Sequence, residues 1–367
     1  MLNVLMIGVG QCGNRILDAV NKESFGGSTK LSKYYSRQKF PSRVETLAIN
    51  TAVNDLKELK FTAAKDRFHV PKLHGVGANR SVGKQGFWDN RDLIMDEIES
   101  RGDFDIAFVI TSASGGTGSS FAPLLIHELK DQYKNISVIA VVVLPFREEG
   151  SLYLQNAAFS MRDIMEVESD GVILVDNQYL KRLSGDIASA YDKINDMVSE
   201  RILFLIESLD SEMLSVTDLG DFKTVMRGGL GMGTIGFYQA DKKTSSLASA
   251  IQSSLKPSSL LYPANIYEEG ARAMVIIQGS KESLDVGEIT KFVEKLSTNI
   301  GQVFKGIVVK KGYPRILSVF TLEQVPELEL LYSQAAQAIQ EERGRKTRAK
   351  KQLDDAFAYI EDLEEIY

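Results

Sequence analysis

Gly115-Gly116-Thr117-Gly118-Ser119, preceded by Ser114, is a run of small side chains set between an apolar stretch and an amphipathic one. Residues 105–129 therefore read as a buried strand, a loop and a helix. Glycines let a backbone come close to an anion, successive N–H groups can point into such a turn, and the positive end of the following helix favours negative charge. The chemistry that fits is a grip on phosphate. No Gly-Lys-Ser/Thr follows the glycines, so this is not a Walker A loop, and it carries no lysine to neutralise its ligand.

Gly8-Val9-Gly10-Gln11-Cys12-Gly13 satisfies G-x-G-x-x-G after a strand and before a helix, which taken alone suggests NAD or FAD. That reading needs an acidic residue closing the second strand to bind ribose hydroxyls. The second strand ends instead in Asn50-Thr51. Two phosphate loops suit a nucleoside triphosphate better, one serving the α/β phosphates and the other the β/γ region. A third short loop, Gly75-Val76-Gly77-Ala78-Asn79, offers more backbone donors for a terminal phosphate, although it also reads as an ordinary surface turn.

Bulk properties narrow the class. A chain of 367 residues fits two conventional domains better than one core. A net charge of −6 argues against a general affinity for nucleic acid, so an anionic ligand must be held by local geometry. The single Cys12 excludes a disulfide framework, and His69, His74 and His127 leave no zinc cluster, so no protein-held metal site is expected. A cytoplasmic protein with no membrane-spanning segment is expected.

The elements that must position these loops follow from apolar patterning. Strands are expected at 2–8, 45–50, 105–111, 136–144 and 171–176, with a helix at 14–22 and a polar surface insertion at 25–43. The wholly apolar strands imply a parallel sheet covered on both faces, with the ligand crevice at the strand C-termini. Residues 186–209 form one long helical pattern, about 35 Å at 1.5 Å per residue. Further strands are expected near 234–239, 271–277, 306–310 and 315–321. The fold class is thus α/β: a doubly wound parallel-sheet nucleotide-binding domain (1–185), a central connecting helix running into a polar turn (186–214), a smaller α+β domain (215–325) and a charged helical segment (326–367). That last segment is basic from Arg343 to Lys351 and acidic from Asp354 to Glu365, and reads either as a solvated helix or as a partner-binding one.

GQCGN at 10–14, GVGAN at 75–79, SGGTGSS at 114–120, PFREEG at 145–150, VDNQ at 175–178, YDKIND at 191–196 and DLGDFKTVM at 218–226 resemble, in this order, the tubulin/FtsZ superfamily. GQCGN looks like tubulin, whereas PFREEG and DLGDFKTVM look like FtsZ. That mixture is similar to the archaeal tubulin-like CetZ proteins. The resemblance implies a GTPase that binds GTP or GDP with Mg²⁺ and associates with itself head to tail into protofilaments. It implies that Gly10, Gln11, Cys12, Gly13, Asn14, Gly77, Ala78, Asn79 and Ser114 to Ser119 hold phosphates. Glu149 would contact ribose, Asn177 and Asn195 would read guanine, and Tyr191 would stack on the base. Asp218 and Asp221 match the carboxylates that reach the nucleotide of the neighbouring subunit, where they would orient water and help retain Mg²⁺; the simpler reading of Asp218 is a helix N-cap. Ser114 and Ser120 stand where the family commonly has glycine, and Val216 where FtsZ has asparagine. The latter departure keeps open a polymerising scaffold with little hydrolysis. The absence of an FtsZ-like linker and tail points to cell shape rather than division, with membrane-associated or shape-control partners unidentified.

Overall fold

The computed structural model describes residues 1–25, 42–184, 187–211, 217–242, 244 and 246–361. Most of the expected insertion at 25–43, Val216 and the acidic end beyond Glu361 lie outside the described residues. In chain order the elements begin β1 (Asn3–Val9), α1 (Gly10–Phe25), β2 (Arg43–Asn50), α2 (Val53–Lys57), β3 (Arg67–His69), α3 (Arg80–Asp89) and α4 (Arg91–Glu99). They continue with β4 (Ile106–Ser112), α5 (Gly116–Gln132), β5 (Ser137–Leu144), α6 (Ser151–Glu166), β6 (Gly171–Asp176), α7 (Asn177–Ser184) and α8 (Ile187–Leu209). The remainder comprises α9 (Leu219–Met226), β7 (Met232–Gln239), α10 (Leu247–Ser254), α11 (Ile266–Glu269), β8 (Gly270–Gly279), α12 (Val286–Ser297), β9 (Gln302–Val309), β10 (Arg315–Leu322) and α13 (Pro326–Glu361).

The ten strands among the described residues form one sheet in the order β3-β2-β1-β4-β5-β6-β7-β10-β8-β9. The first seven are parallel, and β10 runs antiparallel to both β7 and β8. Strands β4 and β5 are buried along nearly their whole length because helices cover both faces. One apolar layer gathers Phe87, Phe121, Leu125 and Met161 with Leu328 and Leu331. The other gathers Ile16, Val20, Val198, Phe204 and Phe222. This is the doubly wound arrangement that the sequence implies.

The sheet is continuous where the sequence suggests a change of architecture. Strand β6 pairs with β7 only through Val172–Met232 and Ile173–Gly233. Beyond that point the strands part, and the segment around Leu261 fills the gap, with Asp176 N donating to Leu261 O and Leu261 N to Ile235 O. Strand β9 starts at Gln302, earlier than the apolar run at 306–310 indicates. Its first four residues are exposed or half-buried at the sheet edge, so their pattern is mixed.

Helix α8 links the two ends of the sheet. Its C-terminal end leads to Asp210, which accepts hydrogen bonds from Leu2 N (2.9 Å) and Ser42 Oγ (3.1 Å) at the starts of β1 and β2. Its N-terminal half carries Tyr191 and Asn195 at the opposite, C-terminal edge. From Tyr191 to Leu209 the helix covers about 27 Å. No helix among the described residues is long and apolar enough to cross a membrane.

Candidate functional site: a phosphate cradle at the strand C-termini

The C-terminal ends of β1, β2, β4 and β6 open into a cavity of about 580 Å³. Its size falls within the range of small-molecule and cofactor sites. Of the residues singled out by sequence, Gly10, Gln11, Cys12, Gly77, Ala78, Ser114, Gly115, Gly116, Thr117, Gly118, Glu149, Asn177, Tyr191 and Asn195 line it together. Segments up to 185 residues apart in the chain therefore converge on one space, because a doubly wound sheet delivers its βα loops to one edge.

Two helix N-termini face this cavity. Helix α5 is capped by Gly115, which makes no side-chain cap hydrogen bond, and its first turn contains no acidic residue. Helix α1 opens at Gly10 and likewise has no acid in its first turn. Both ends leave N–H donors and the positive pole of the helix dipole for an anion. The two loops touch: a Cβ on Gly10, whose φ is +74°, would lie 2.9 Å from Gly118 N. A Cβ on Gly118 would lie 2.6 Å from Thr111 Oγ1 and 3.1 Å from Val9 O. Close approach of backbone to backbone is thus the reason for glycine at both positions.

The third loop is built into the cradle rather than left as a surface turn. Asn156 Nδ2, from α6, donates to Ala78 O (2.9 Å) and Ser114 O (3.0 Å), tying it to the loop before α5. A Cβ on Gly116 would meet Val76 Cγ2 at 2.5 Å and Ala78 N at 2.9 Å. Ala78 itself has φ +59°, a conformation that non-glycine residues seldom hold and that the surrounding packing must enforce. Arg80 and Lys84 of α3 brace the arrangement from behind through Asp163 at 2.8 and 2.7 Å. Burial would raise the Asp163 carboxyl, but hydrogen bonds from Lys84, Arg162 and Arg80 outweigh it and hold the group at about 2.

The other end of the cavity is lined by Glu149, Asn177, Tyr191 and Asn195. Glu149 Oε1 accepts from Phe146 N (3.0 Å) and Oε2 from Ser114 Oγ (3.3 Å), so the carboxylate is fixed in orientation. Its partial burial raises its pKa against those hydrogen bonds. Tyr191 is 45% exposed, with its ring nearly perpendicular to that of Phe146 at 5.5 Å between centroids. Asn177 begins α7 directly after the buried Asp176, and Asn195 lies one helical turn beyond Tyr191 on α8. An amide offers both a donor and an acceptor to a purine edge, and a phenol ring offers a stacking surface.

Four residues grouped with the loops stand behind the wall rather than in it. Asn14 is fully buried and donates to Ile49 O at 3.3 Å. Gly13 allows α1 to cross β4, since a Cβ there would meet Ile110 O at 2.1 Å. The Ser119 hydroxyl turns back to Gly115 O within its own helix. Asn79 caps α3, its Oδ1 accepting from Ser81 N and Val82 N. These residues shape the loops from the rear.

Asp218 and Asp221 are not in the cavity. Asp218 is the N-cap of α9, with Asp221 N donating to Asp218 Oδ1 (3.0 Å) and Asp218 N to Asp221 Oδ2 (3.3 Å). Helix α9 ends at the N-terminal edge of the sheet, where Met226 packs on Gly171 and Arg227 pairs with Asp170. The helix-cap reading is therefore correct within one chain. Each carboxylate keeps one oxygen outside the cap.

Several lining residues were not marked by any motif. Arg15 supplies a cation, paired with Glu58 at 3.0 Å, and Tyr153 comes from α6. Asn50, Thr51 and Asp55 come from the end of β2 and from α2. Thr51 Oγ1 lies 2.7 Å from Thr117 Oγ1, and Asn50 Nδ2 donates to Asp55 Oδ2 at 3.0 Å. Their only sequence signal was the polar close of β2 at Asn50-Thr51, next to the first glycine loop in a parallel sheet. No group of three or more His, Cys, Asp or Glu placed to hold a metal occurs among the described residues.

Comparison with known proteins identifies the family and the fold. The Tubulin/FtsZ family, GTPase domain, matches residues 3–185. The tubulin-like protein CetZ of Methanothrix thermoacetophila is 70% identical over 368 residues, covering 100% of both chains. The solved structure of CetZ from Methanosaeta thermophila superposes with a TM-score of 0.89 at 67% identity, over 100% of this chain and 99% of that one. A GTPγS-bound protofilament of CetZ2 from Haloferax volcanii shares the fold, with a TM-score of 0.77 at 23% identity over 94% and 100% of the two chains. A GTPase family sets aside the dinucleotide reading of Gly8 to Gly13. The cradle of glycine loops, the groups at the other end of the cavity and these likenesses together place the chain in the tubulin/FtsZ family of GTPases, among its tubulin-like CetZ members.

Proposed function

We propose that this chain binds GTP or GDP in the cavity, stacks head to tail into filaments, and hydrolyses GTP when a second copy brings Asp218 and Asp221 to the cavity mouth. The observation that carries this reading is the separation of the two half-sites along α8. The cavity offers phosphate donors at one edge of the sheet, and the two carboxylates stand on a helix anchored at the other. Phosphoryl transfer depends on positioning and charge stabilisation, and a water attacking the terminal phosphate needs a group to orient it. Head-to-tail contact is the arrangement that brings the carboxylates of one copy to the phosphates of another. The same fold stacks as a protofilament in H. volcanii CetZ2.

In this proposal Gly10, Gln11, Cys12, Gly77, Ala78 and Ser114 to Gly118 surround the phosphates, with Gly13, Asn14, Asn79 and Ser119 supporting them. Glu149 faces ribose, Asn177 and Asn195 read guanine, and Tyr191 stacks on it. Mg²⁺ fits this donor set as a phosphate-borne ion that keeps most of its waters, with the side-chain oxygens of Gln11 and Asp55 in the lining as the groups that would hold it. A cytoplasmic filament acting in cell shape, with partners beyond itself unidentified, completes the proposal.

Asparagine substitution tests the assignment, because asparagine also caps helices and leaves α9 intact. Asp218→Asn and Asp221→Asn should retain GTP affinity within about twofold while turnover in the polymer falls by about 100-fold or more, in line with loss of a water-orienting group. A large loss of GTP binding by the unassembled variants would refute the role. One observation favours a second reading, a GTP-locked scaffold: both carboxylates already give an oxygen to the cap. Phosphate release that stays flat while filaments grow would select it.

A further inference from the structure

Helix α9 carries Asp218 and Asp221 at its start and is fastened at its other end. Its buried side chains begin at Phe222 and continue through Val225 and Met226. The carbonyls of its last turn, which a helix leaves open, take donors from two strands. Arg272 Nη1 of β8 donates to Thr224 O (2.7 Å) and Thr321 Oγ1 of β10 to Val225 O (3.0 Å). Just beyond them the Arg227 guanidinium pairs with Asp170, the residue before β6. At the opposite end Asp218 is exposed and Asp221 half-buried, joined by the cap they share. A helix of eight residues spans about 12 Å, so any tilt at its fastened end is carried to the two carboxylates.

Asp170 is built as a fixed point. It is buried, and its Oδ2 accepts from Val138 N (2.9 Å) and from Lys130 Nζ (2.7 Å), while Asp170 N donates to Val138 O (2.8 Å). These bonds pin the carboxylate to β5 and to the last turn of α5, and Oδ1 is turned to Arg227. One oxygen thus anchors Asp170 to the body and the other anchors α9. Burial would raise this carboxyl, but hydrogen bonds from Lys130, Val138 N and Arg227 outweigh it and hold the group below the usual carboxylate range. Lys130 already pairs with the buried charge, so the Arg227 side chain, 58% exposed, is not the only group keeping that charge tolerable there. What Arg227 adds is a tie between the fixed point and α9.

We propose that Asp170, acting through Arg227, is a positioning residue for GTP hydrolysis, a role that stands only if Asp218 and Asp221 of one copy act on the nucleotide of the next. It holds α9 at the bearing that brings those carboxylates into line with the neighbour's terminal phosphate. In a stack of identical copies the cradle of each meets the carboxylates of another, so their placement within one chain must fit at every contact. The tolerance is small, since a misplacement of about 1 Å caused far from the reacting atoms can lower a rate by about 100-fold.

Substituting the two cations of Asp170 separately tests this in the full chain. Lys130→Met strips the anchoring side and Arg227→Met the side facing α9, and each leaves the carboxylate one cation. Measured on sedimented filaments, Arg227→Met should turn over GTP about tenfold more slowly per chain, with GTP affinity of the unassembled chain within about twofold of the parent, whereas Lys130→Met should keep the parent rate within about twofold. Arg227→Lys, which retains a charged donor, should recover at least about half of the parent rate. In a chain carrying both Asp218→Asn and Asp221→Asn, Arg227→Met should cause no further loss, because it acts through those carboxylates. Parent-like turnover in Arg227→Met filaments, an equal loss in Lys130→Met, no recovery with Arg227→Lys, an added loss in the double-asparagine chain, or failure of Arg227→Met to assemble would overturn the role. Parent-like turnover in the double-asparagine chain itself would instead overturn the two-copy site on which the role rests.

Discussion

Adding one methyl group at Gly115 separates folding from phosphate binding. Gly115 has φ −68°, an ordinary value for any residue, and a Cβ there would meet no heavy atom within 4 Å. Gly115→Ala should therefore leave stability within about 0.5 kcal/mol of the parent, as for a substitution that disturbs no packing. Gly115 lines the cavity at the N-terminus of α5, so a methyl there meets the N–H groups left free at the start of the helix. Displacing a phosphate from one charge-assisted hydrogen bond, at about 1.5–3 kcal/mol, should weaken GDP binding by about 10- to 100-fold. Gly118→Ala is the contrasting variant, since its Cβ would lie 2.6 Å from Thr111 Oγ1 and 3.0 Å from Ser112 O. Overpacking of that kind costs about 1–3 kcal/mol of stability in addition to any loss of binding. Thermal unfolding without nucleotide and titration with a fluorescent GDP analogue measure the two effects separately. If Gly115→Ala bound GDP as tightly as the parent, the loop would not be the phosphate grip.

Three further outcomes follow from the same geometry. The folded Asp163 carboxyl sits at about 2 against an ordinary 3.8, so its stabilisation of about 2 kcal/mol is present above pH 4 and is lost as pH falls towards 2. Asp163→Asn should remove that stability at pH 7 and flatten the acid limb in denaturant titrations, and an unchanged acid limb would contradict this. Glu23 is shifted the other way, to about 8, by burial first and then by Glu200 and Asp196. It takes up a proton on folding, so its contribution worsens as pH rises from about 4.5 to 8, and Glu23→Gln should be on the order of 3 kcal/mol more stable than the parent at pH 8 but not at pH 4.5. Equal Tm differences at both pH values would refute that sign. Asn156→Leu leaves Ala78 O and Ser114 O without their shared donor, which should cost about 1–3 kcal/mol and loosen GTP binding although Asn156 lies behind the cavity wall. Unaltered affinity would show that the third loop needs no such tie.

The parts of the site that could be read from the chain are those whose chemistry is local. A glycine loop between an apolar run and a helix carries its own instruction, and so Gly10 and Gly115 to Gly118 are visible without coordinates. Long apolar runs likewise reveal β4 and β5, and an uninterrupted helical pattern reveals α8. Arg15, Asn50, Thr51, Asp55 and Tyr153 were not legible because they reach the cavity only through the parallel pairing of β1 with β2 and the placement of α6. Asn14 and Ser119 show the converse: a motif marks a loop without telling its front from its back. The continuity of the sheet through β6 and β7 rests on two residue pairs, too little to leave a periodic trace. For Asp218 the sequence allowed both a helix cap and a role in a neighbour's site, and within one chain only the first can be seen.

The central claim, that each copy holds half of a hydrolytic centre, is tested most directly by GTP turnover per chain measured across chain concentration at saturating GTP. The account predicts negligible turnover at concentrations where no filament forms and a steep rise per chain once stacking begins. Equal turnover per chain in dilute, unassembled protein and in filaments would contradict it.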